Sequence, residues 1–253
     1  SENKDLFQWT IGGMGLTGII LRASIRLRPI ESAWISQKTL VAKDIFQAMK
    51  LFEESNDATY SVAWIDCLQK GKTLGRSIVM LGEHAVKTSL PLKFRKQPLL
   101  TPVKKKLVIP FYFPSWALNG FSVKIFNNLY YWNEKRKPKR QLVDWDTFFY
   151  PLDRMLGWNK IYGRKGFAQF QCVIPLKHAE EGIISLLEEI AKSDAGSFLA
   201  VLKKFGAQNS MFSFPMEGYT LALDFPINVK TLTLMKELDK ITIRNKGRFY
   251  LAK

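Results

Sequence analysis

The pattern of apolar and polar positions predicts two similar runs of elements along the chain. Period-two alternation of β-branched and aromatic residues indicates strands, and apolar residues three and four apart indicate helices. The first run comprises a strand at Lys38–Ala42, a helix at Ile45–Glu54 with Asp44 as N-cap, and strands at Tyr60–Cys67 and Arg76–Leu81. The second comprises a strand at Phe167–Ile174, a helix at Ala179–Lys192, strands at Phe198–Lys203 and Tyr219–Phe225, and a last helix at Val229–Asn245.

Each run has the order β-α-β-β, and the repeat lies in element order rather than in residue identity. Two such units with antiparallel hairpins predict an α+β domain with one mostly antiparallel sheet and helices on one face. A further strand is expected at Thr17–Ile25, which is rich in β-branched residues and leads to Pro29. A segment boundary is therefore expected near residue 31.

Residues 83–146 separate the two runs and hold several prolines and a dense aromatic set. A loop of this length is commonly functional or disordered. Interleaved rings and cations suit a membrane surface, because rings partition to the interface while Lys and Arg meet head-group phosphates. The alternative, which we favour over peripheral membrane contact, is a long excursion packed on its own domain.

The charge balance points to an anionic partner. Lys and Arg number 38 against 22 Asp and Glu, which gives a net charge of +16. Nucleic acid, an anionic membrane or a phosphorylated substrate would suit this excess. The basic runs Lys104–Lys106 and Lys135–Arg140 both lie in the central stretch, and a solvated loop is an equally weighted interpretation.

Several kinds of chemistry find no support in the sequence. Cys67 and Cys172 lie in apolar strands without a C-x-x-C partner, so neither a disulfide framework nor a zinc site is indicated. His84 and His178 are the only histidines, and no G-x-S-x-G elbow accompanies them. No metal site is expected, and an enzyme with this composition needs a cofactor for its chemistry.

A glycine-rich motif and the hydropathy profile add two negative expectations. Gly13–Gly18 matches G-x-G-x-x-G, but the residues after it favour a strand rather than the helix that a nicotinamide site requires. The longest apolar stretch, Leu107–Phe121, is interrupted by Pro110 and Pro114 and is too short to span a bilayer. With no signal peptide visible, we expect a soluble or peripheral protein.

Motifs across most of the chain resemble the decaprenylphosphoryl-ribose oxidase branch of the flavoproteins that share the vanillyl-alcohol oxidase fold. Residues Leu6–Ile20 look like the closing segment of the FAD-binding domain, and Ser61–Cys67 with Gly75–Ser77 look like the entry into the substrate domain. Further matches follow in the same order at Phe149–Asp153, Trp158–Asn159, Tyr162–Gly163, Gln169–Pro175, Lys203, Phe205–Gly206, Ser213–Pro215, Asp224–Pro226 and Gly247–Lys253. Each motif is weak alone, and the ordered set is specific to this branch.

The resemblance implies roles for particular residues. Ile19 and Tyr250 would contact FAD, and Lys253 would be the catalytic lysine that assists proton removal from the substrate hydroxyl. The substrate pocket would include Phe149, Gln171, Lys203 and Ala222. The substrate implied is a polyprenyl-phosphate sugar whose ribose 2′-hydroxyl is oxidised, after which a short-chain-type reductase would reduce the keto product as the second half of an epimerisation.

Departures from the family pattern leave the substrate open. Phe149 stands where mycobacterial members carry a tyrosine, and Ala222 where they carry a cysteine. Another alcohol or sugar is therefore an alternative substrate, and a basic membrane- or nucleic-acid-binding module is an alternative function, although nucleic acid is not the partner we expect. The location expected is the cytoplasm or the inner face of the membrane.

The resemblance also divides the chain. Residues 1–31 would belong to the FAD-binding domain, 32–247 to the substrate-binding domain, and 248–253 to a segment that returns to the FAD-binding domain. The pyrophosphate-binding loop of the family is absent from this sequence. We therefore expect a fragment that binds FAD weakly or not at all and is inactive alone.

Overall fold

Ten strands and seven helices are present in the part of the chain that the computed structural model describes, which is residues 3–114, 119–208 and 211–251. The strands are β1 Trp34–Ala42, β2 Tyr60–Ile65, β3 Ser77–His84, β4 Leu107–Val108, β5 Arg140–Asp144, β6 Met155–Leu156, β7 Phe167–Pro175, β8 Ala200–Phe205, β9 Gly218–Pro226 and β10 Arg248–Phe249. The helices are α1 Lys4–Thr10, α2 Ile45–Glu54, α3 Leu92–Arg95, α4 Gly120–Arg136, α5 Trp145–Phe149, α6 Leu176–Ser193 and α7 Val229–Arg244.

Eight of these strands form one sheet with the order β10-β7-β9-β8-β2-β3-β1-β5, and every pairing in it is antiparallel. The two predicted runs appear as β1-α2-β2-β3 and β7-α6-β8-β9. They meet through their equivalent strands β2 and β8, where Ala63 pairs with Leu202 and Trp64 with Val201. The α+β class and the mostly antiparallel sheet are confirmed.

Three helices pack on one face of the sheet, as the sequence predicts. The helix α2 begins at the expected cap, where the Asp44 carboxylate accepts a hydrogen bond from the Gln47 backbone N–H at 2.7 Å. Buried side chains of α2, α6 and α7, among them Phe52, Leu186 and Leu238, form the main core with inward-facing strand residues. Burial of this apolar area is the dominant favourable contribution to folding.

The opposite face of the sheet carries α4, so the expectation that the helices lie on one face does not hold for this helix. Side chains on a strand alternate between faces, so Trp64 points away from the main core that contains Ala63 and Ile65. Trp64, Ile78 on β3 and Tyr131 of α4 form a separate buried cluster. The interval 83–146 is therefore not a continuous loop, because α4 packs on the sheet and β5 pairs with β1. For α4 and β5, the structure agrees with the interpretation that residues 83–146 form an excursion packed on its own domain.

One expected strand does not form. Residues 18–33 carry no regular structure, and Thr17–Ile25 is not part of either sheet. Ile19, Leu21 and Ile25 are between 79% and 90% exposed. A strand is stable only when its backbone groups pair with a neighbour, and the described chain provides no such neighbour for this segment.

None of the helices in the described ranges has both the length and the apolar character needed to cross a membrane. The proposed division at residues 31 and 247 stays a prediction. The strand β10 lies at the edge of the main sheet, where Phe249 pairs with Cys172 of β7.

Candidate functional site

Three of the residues singled out from the sequence lie on one face of three neighbouring strands. Gln171 on β7 is opposite Ala222 on β9, which in turn is opposite Val201 on β8. Lys203, two residues further along β8, is opposite Thr220. Because the residues between them point into the main core, this set faces away from α6 and α7. We call it the polar sheet face, composed of Gln171, Val201, Lys203, Thr220 and Ala222.

A short hydrogen-bond chain links the polar sheet face to the end of the described chain. The Gln171 amide Nε2 donates to the Thr220 hydroxyl at 3.4 Å. The backbone N–H of Tyr250 donates to the Gln171 carbonyl oxygen at 3.0 Å. Lys203 is exposed, whereas Thr220 is buried and Ala222 is half-buried. Gln171 and Tyr250 are 79 residues apart in the sequence. The structure brings them into direct contact through this hydrogen bond.

An aromatic wall stands beside this chain of contacts. The Tyr250 ring lies 5.0 Å from that of Phe214 at a tilt of 40°, and Phe214 meets Phe205 at the end of β8 edge to face at 6.1 Å. The guanidinium of Arg248 donates to the Ser213 carbonyl oxygen at 3.0 Å and fixes the loop that carries Phe214. The rings of this wall offer an apolar surface against which another ring system can pack.

The glycine turn after α1 reaches the same loop. A Cβ atom added at Gly12 would lie 2.7 Å from the Ser213 Cα, and the φ of Gly12 is +68°. Only glycine meets both conditions without strain. The N-terminal and C-terminal segments, which the sequence analysis assigns to a cofactor-binding domain, thus approach each other at Ser213.

Phe149 lies on the same side of the sheet as the polar sheet face, beside the strands of the first β-α-β-β run. It ends α5 and packs edge to face on Tyr60 at 4.8 Å. Tyr60 begins β2, the strand next to β8, which carries Lys203. The neighbouring ring of Phe148 covers Gly82 on β3 so closely that an added Cβ would lie 2.5 Å from it. Phe149 therefore approaches the polar sheet face one strand away from Lys203.

Two predicted residues are not placed in the site. Ile19 is 90% exposed in the irregular segment before β1. Lys253 lies outside the described residues. Two further residues of the polar surface were missed by the sequence analysis, namely Thr220 and Gln169, whose amide Nε2 donates to the Asp224 carboxylate at 2.6 Å. Both residues alternate with apolar residues in the predicted strands, and this alternation could have identified them as part of the polar face.

Thiol and metal chemistry find no support at this site. Burial raises the pKa of both Cys67 and Cys172 to about 12, and both thiols are free. A thiol with so high a pKa is not a thiolate at neutral pH and is a poor nucleophile. Within the described ranges, no group of three or more His, Cys, Asp and Glu residues could hold a metal ion.

The polar sheet face lies apart from two cavities of the structure. Two cavities of about 170 and 220 Å³ lie elsewhere, one beside Arg28 and His84 and the other beside Leu51 and Lys137. Neither is lined by a residue of the polar sheet face. The aromatic rings of Tyr250 and Phe214 suit the ring system of a flavin in their chemistry.

The fold and the site define an α+β domain with an open polar sheet face bounded by aromatic side chains. No family model matches the chain. Decaprenylphosphoryl-beta-D-ribose oxidase of Mycolicibacterium smegmatis is 35% identical over 254 residues, which cover 99% of this chain and 55% of that protein. The chain is a homologue of this oxidase and spans about half of its length, so the resemblance found in the motifs is confirmed.

Two other proteins are similar over most of the chain. The uncharacterized protein in mprA 5'region of Streptomyces coelicolor is 27% identical over 259 residues, which cover 98% of this chain and 69% of that protein. The structure of berberine bridge enzyme from Eschscholzia californica matches 84% of this chain and 41% of its own, with 14% identity and a TM-score of 0.44. A likeness at that TM-score does not bear on the function.

Proposed function

We propose that this chain is the substrate-binding part of an FAD-dependent oxidoreductase that acts on a secondary alcohol. The proposed substrate is the ribose 2′-hydroxyl of a polyprenyl-phosphate sugar. The observation that carries the proposal is the polar sheet face, where Gln171 and Lys203 lie beside the aromatic wall of Tyr250 and Phe214. Homology to decaprenylphosphoryl-beta-D-ribose oxidase over 99% of the chain supports the substrate class.

Each residue has a chemical role in this proposal. Lys203 presents a cation to the substrate phosphate, which a Lys binds as a point charge. The Gln171 amide both donates and accepts hydrogen bonds, as a sugar hydroxyl requires. Phe149 and Ala222 line the surface around the sugar. Lys253 accepts the proton of the reacting hydroxyl.

The cofactor would lie against the aromatic wall. Tyr250 packs on it from the side of β10, and Ile19 contacts it from the segment before β1. When bound, FAD supplies the acceptor for the hydride of the alcohol. Because the chain covers 55% of the homologous oxidase, we propose that the activity belongs to a longer protein and that this chain alone is inactive. The division into residues 1–31, 32–247 and 248–253 is part of the same proposal.

The keto product would then need a second enzyme. A short-chain-type reductase that delivers hydride to the opposite face of the ketone would complete an epimerisation. The location that suits a lipid-linked substrate is the cytoplasm or the inner face of the membrane.

Flavin absorbance of the full-length protein tests the proposal. We expect a polyprenyl-phosphoribose to bleach the oxidised flavin. A Lys203→Ala variant should need about 10- to 150-fold more substrate for half-maximal bleaching, as loss of a charge-assisted contact of about 1.5–3 kcal/mol implies. Lys240→Ala, on the exposed surface of α7 where Lys240 pairs with the neighbouring Glu237 at 2.7 Å, is the matched control and should behave as the parent.

Other outcomes would contradict separate parts of the proposal. A protein without bound flavin would refute the enzyme class. Equal substrate requirements for Lys203→Ala and Lys240→Ala would remove Lys203 from the substrate site.

A second substrate class is favoured by two specific residues. Mycobacterial members of the family that this chain resembles carry a tyrosine at the position of Phe149 and a cysteine at the position of Ala222. Phe149 therefore lacks a hydroxyl, and Ala222 lacks a thiol. The surface around the sugar is correspondingly less polar. Bleaching by an unrelated alcohol or sugar, with none by the polyprenyl-phosphoribose, would favour this alternative.

A further inference from the structure

The inner face of α4 is buried against the rest of the protein. Val123, Asn127 and Tyr131 recur every four residues along this face, and all three are buried. The Asn127 amide donates to the Asp66 carboxylate at 2.7 Å, and Tyr131 packs in the cluster with Trp64. These contacts fix the rotation of the helix about its axis, so its outer face is defined.

The outer face carries a continuous apolar stripe. Phe121, Ile125, Leu129 and Trp132 are spaced four, four and three residues apart, so they form one line along the helix. They are 73%, 45%, 67% and 51% exposed, respectively. Scattered single apolar residues are normal on a protein surface, but a line of four large side chains marks an interaction site. The stripe cannot turn inward, because the inner face is already occupied.

Cations surround the C-terminal end of the stripe. Lys135 and Arg136 end α4, and Lys139 and Arg140 follow, all of them exposed. The Lys135 ammonium lies 5.0 Å from the centre of the Trp132 ring. An apolar stripe that includes an aromatic ring, together with basic residues beside it, is the composition of a helix that lies in the interface of an anionic bilayer.

The segment before α4 has the same character. Phe111, Tyr112 and Phe113 are between 36% and 61% exposed, and they precede Phe121 by only eight to ten residues. Lys105 and Lys106, which come shortly before them, are also exposed. Exposed aromatic and basic residues are thus also present in the segment that precedes the helix in the sequence.

We propose that the outer face of α4 docks on an anionic lipid surface. The apolar stripe would enter the boundary between head groups and acyl chains, and the adjacent cations would meet lipid phosphates. A second copy of the chain would account for the apolar stripe but not for the cations beside it, whereas an anionic lipid surface accounts for both. Nucleic acid would account for the cations but not for four large exposed apolar side chains.

The docking also places the polar sheet face near the membrane. Trp64, against which α4 packs, pairs with Val201, and Val201 shares its face with Lys203. The helix thus borders the surface on which the proposed substrate would bind. The proposal itself rests on α4 and the basic residues that follow it, and it stands independently of the enzymatic function.

Vesicle flotation of the purified protein tests this proposal. The probes are phosphatidylcholine vesicles with and without phosphatidylglycerol. We expect binding to the anionic vesicles that weakens with added salt, and a binding constant at least about tenfold lower for the double variant Ile125→Gln/Leu129→Gln, which removes the apolar insertion. The matched control Leu232→Gln/Ile243→Gln changes two apolar residues of α7 that are 46% and 63% exposed on the other side of the sheet.

The outcomes separate the possible occupants of the stripe. Equal thermal unfolding of the variants and the parent shows that all are folded. A parent protein that does not float, or a double variant of α4 that floats as well as the α7 control, overturns the proposal. A dimer in sedimentation velocity that only the α4 variant dissociates, without vesicle binding by the parent, would assign the stripe to a second copy.

Discussion

Replacement of Asp66 by Ala should be among the most destabilising single changes in this protein. The Asp66 side chain is fully buried just after β2. Its carboxylate accepts hydrogen bonds from Arg76 Nε and Nη2 at 3.0 and 2.8 Å, from Asn127 Nδ2 at 2.7 Å, from the Leu68 backbone N–H at 3.2 Å and from Gln69 Nε2 at 3.0 Å. One carboxylate therefore holds together the end of β2, the start of β3 and the helix α4.

The magnitude follows from what Ala would leave behind. The Arg76 side chain is 10% exposed, so its guanidinium would stay almost buried without its counter-charge. Loss of one partner of a buried ion pair costs about 3–5 kcal/mol. Since a domain has a total stability of about 5–15 kcal/mol, the variant should lose a large fraction of its free energy of unfolding.

Urea unfolding followed by circular dichroism measures this effect. The control is Glu54→Ala, which also breaks a carboxylate–cation pair, but an exposed one in which Lys50 Nζ and Glu54 Oε1 are 3.6 Å apart and the side chains are 72% and 56% exposed. That change should cost less than about 0.5 kcal/mol. If the two variants lost similar free energies of unfolding, burial of the Asp66–Arg76 pair would not explain the contribution of Asp66 to stability.

Two further changes test the packing of the sheet. Glu53→Gln should destabilise the protein at neutral pH, because a hydrogen bond from Lys204 lowers the pKa of Glu53 from its ordinary 4.5. The stabilisation is full above the unfolded-state pKa and is lost as the pH falls through the lowered one, so the difference in unfolding free energy between parent and variant should shrink on acidification; a difference that does not change as the pH falls would contradict this. Gly82→Ala should cost about 1–3 kcal/mol in urea unfolding, because the new methyl group would lie 2.5 Å from the Phe148 ring. The double change Gly82→Ala/Phe148→Leu should recover part of the loss, and a single variant as stable as the parent would show that the ring moves freely.

Strong local signals made many of the elements predictable. The helix α2 occupies Ile45–Glu54 in both the sequence analysis and the structure, because Asp44 is a specific N-cap signal and the apolar spacing after it is regular. The strands β7 and β9 differ from their predicted bounds by at most one residue at each end. The β-α-β-β order was read correctly because each element is amphipathic in its own period.

Two segments were misjudged because their structure depends on distant partners. The apolar residues of Thr17–Ile25 suit a strand, but a strand needs a neighbour, and the described chain offers none. The helix α4 lies in an interval that was interpreted as a loop. Its inner and outer faces both carry large apolar residues, so the amphipathic signal was weak, and a contact as remote as that between Asn127 and Asp66 stabilises it.

The sequence alone determined the class of fold, the position of most elements and the alternation that puts Gln171 and Ala222 on the polar side of their strands. The residue pattern predicted antiparallel hairpins such as β8–β9, but without the family resemblance only the tertiary structure shows that β7 lies next to β9, and therefore that Gln171 shares one face with Ala222 and Lys203. The alternation of side chains along a strand is a local property of the backbone, fixed by the sequence position itself. Strand order depends on which apolar faces can be buried together, and no local segment contains that information.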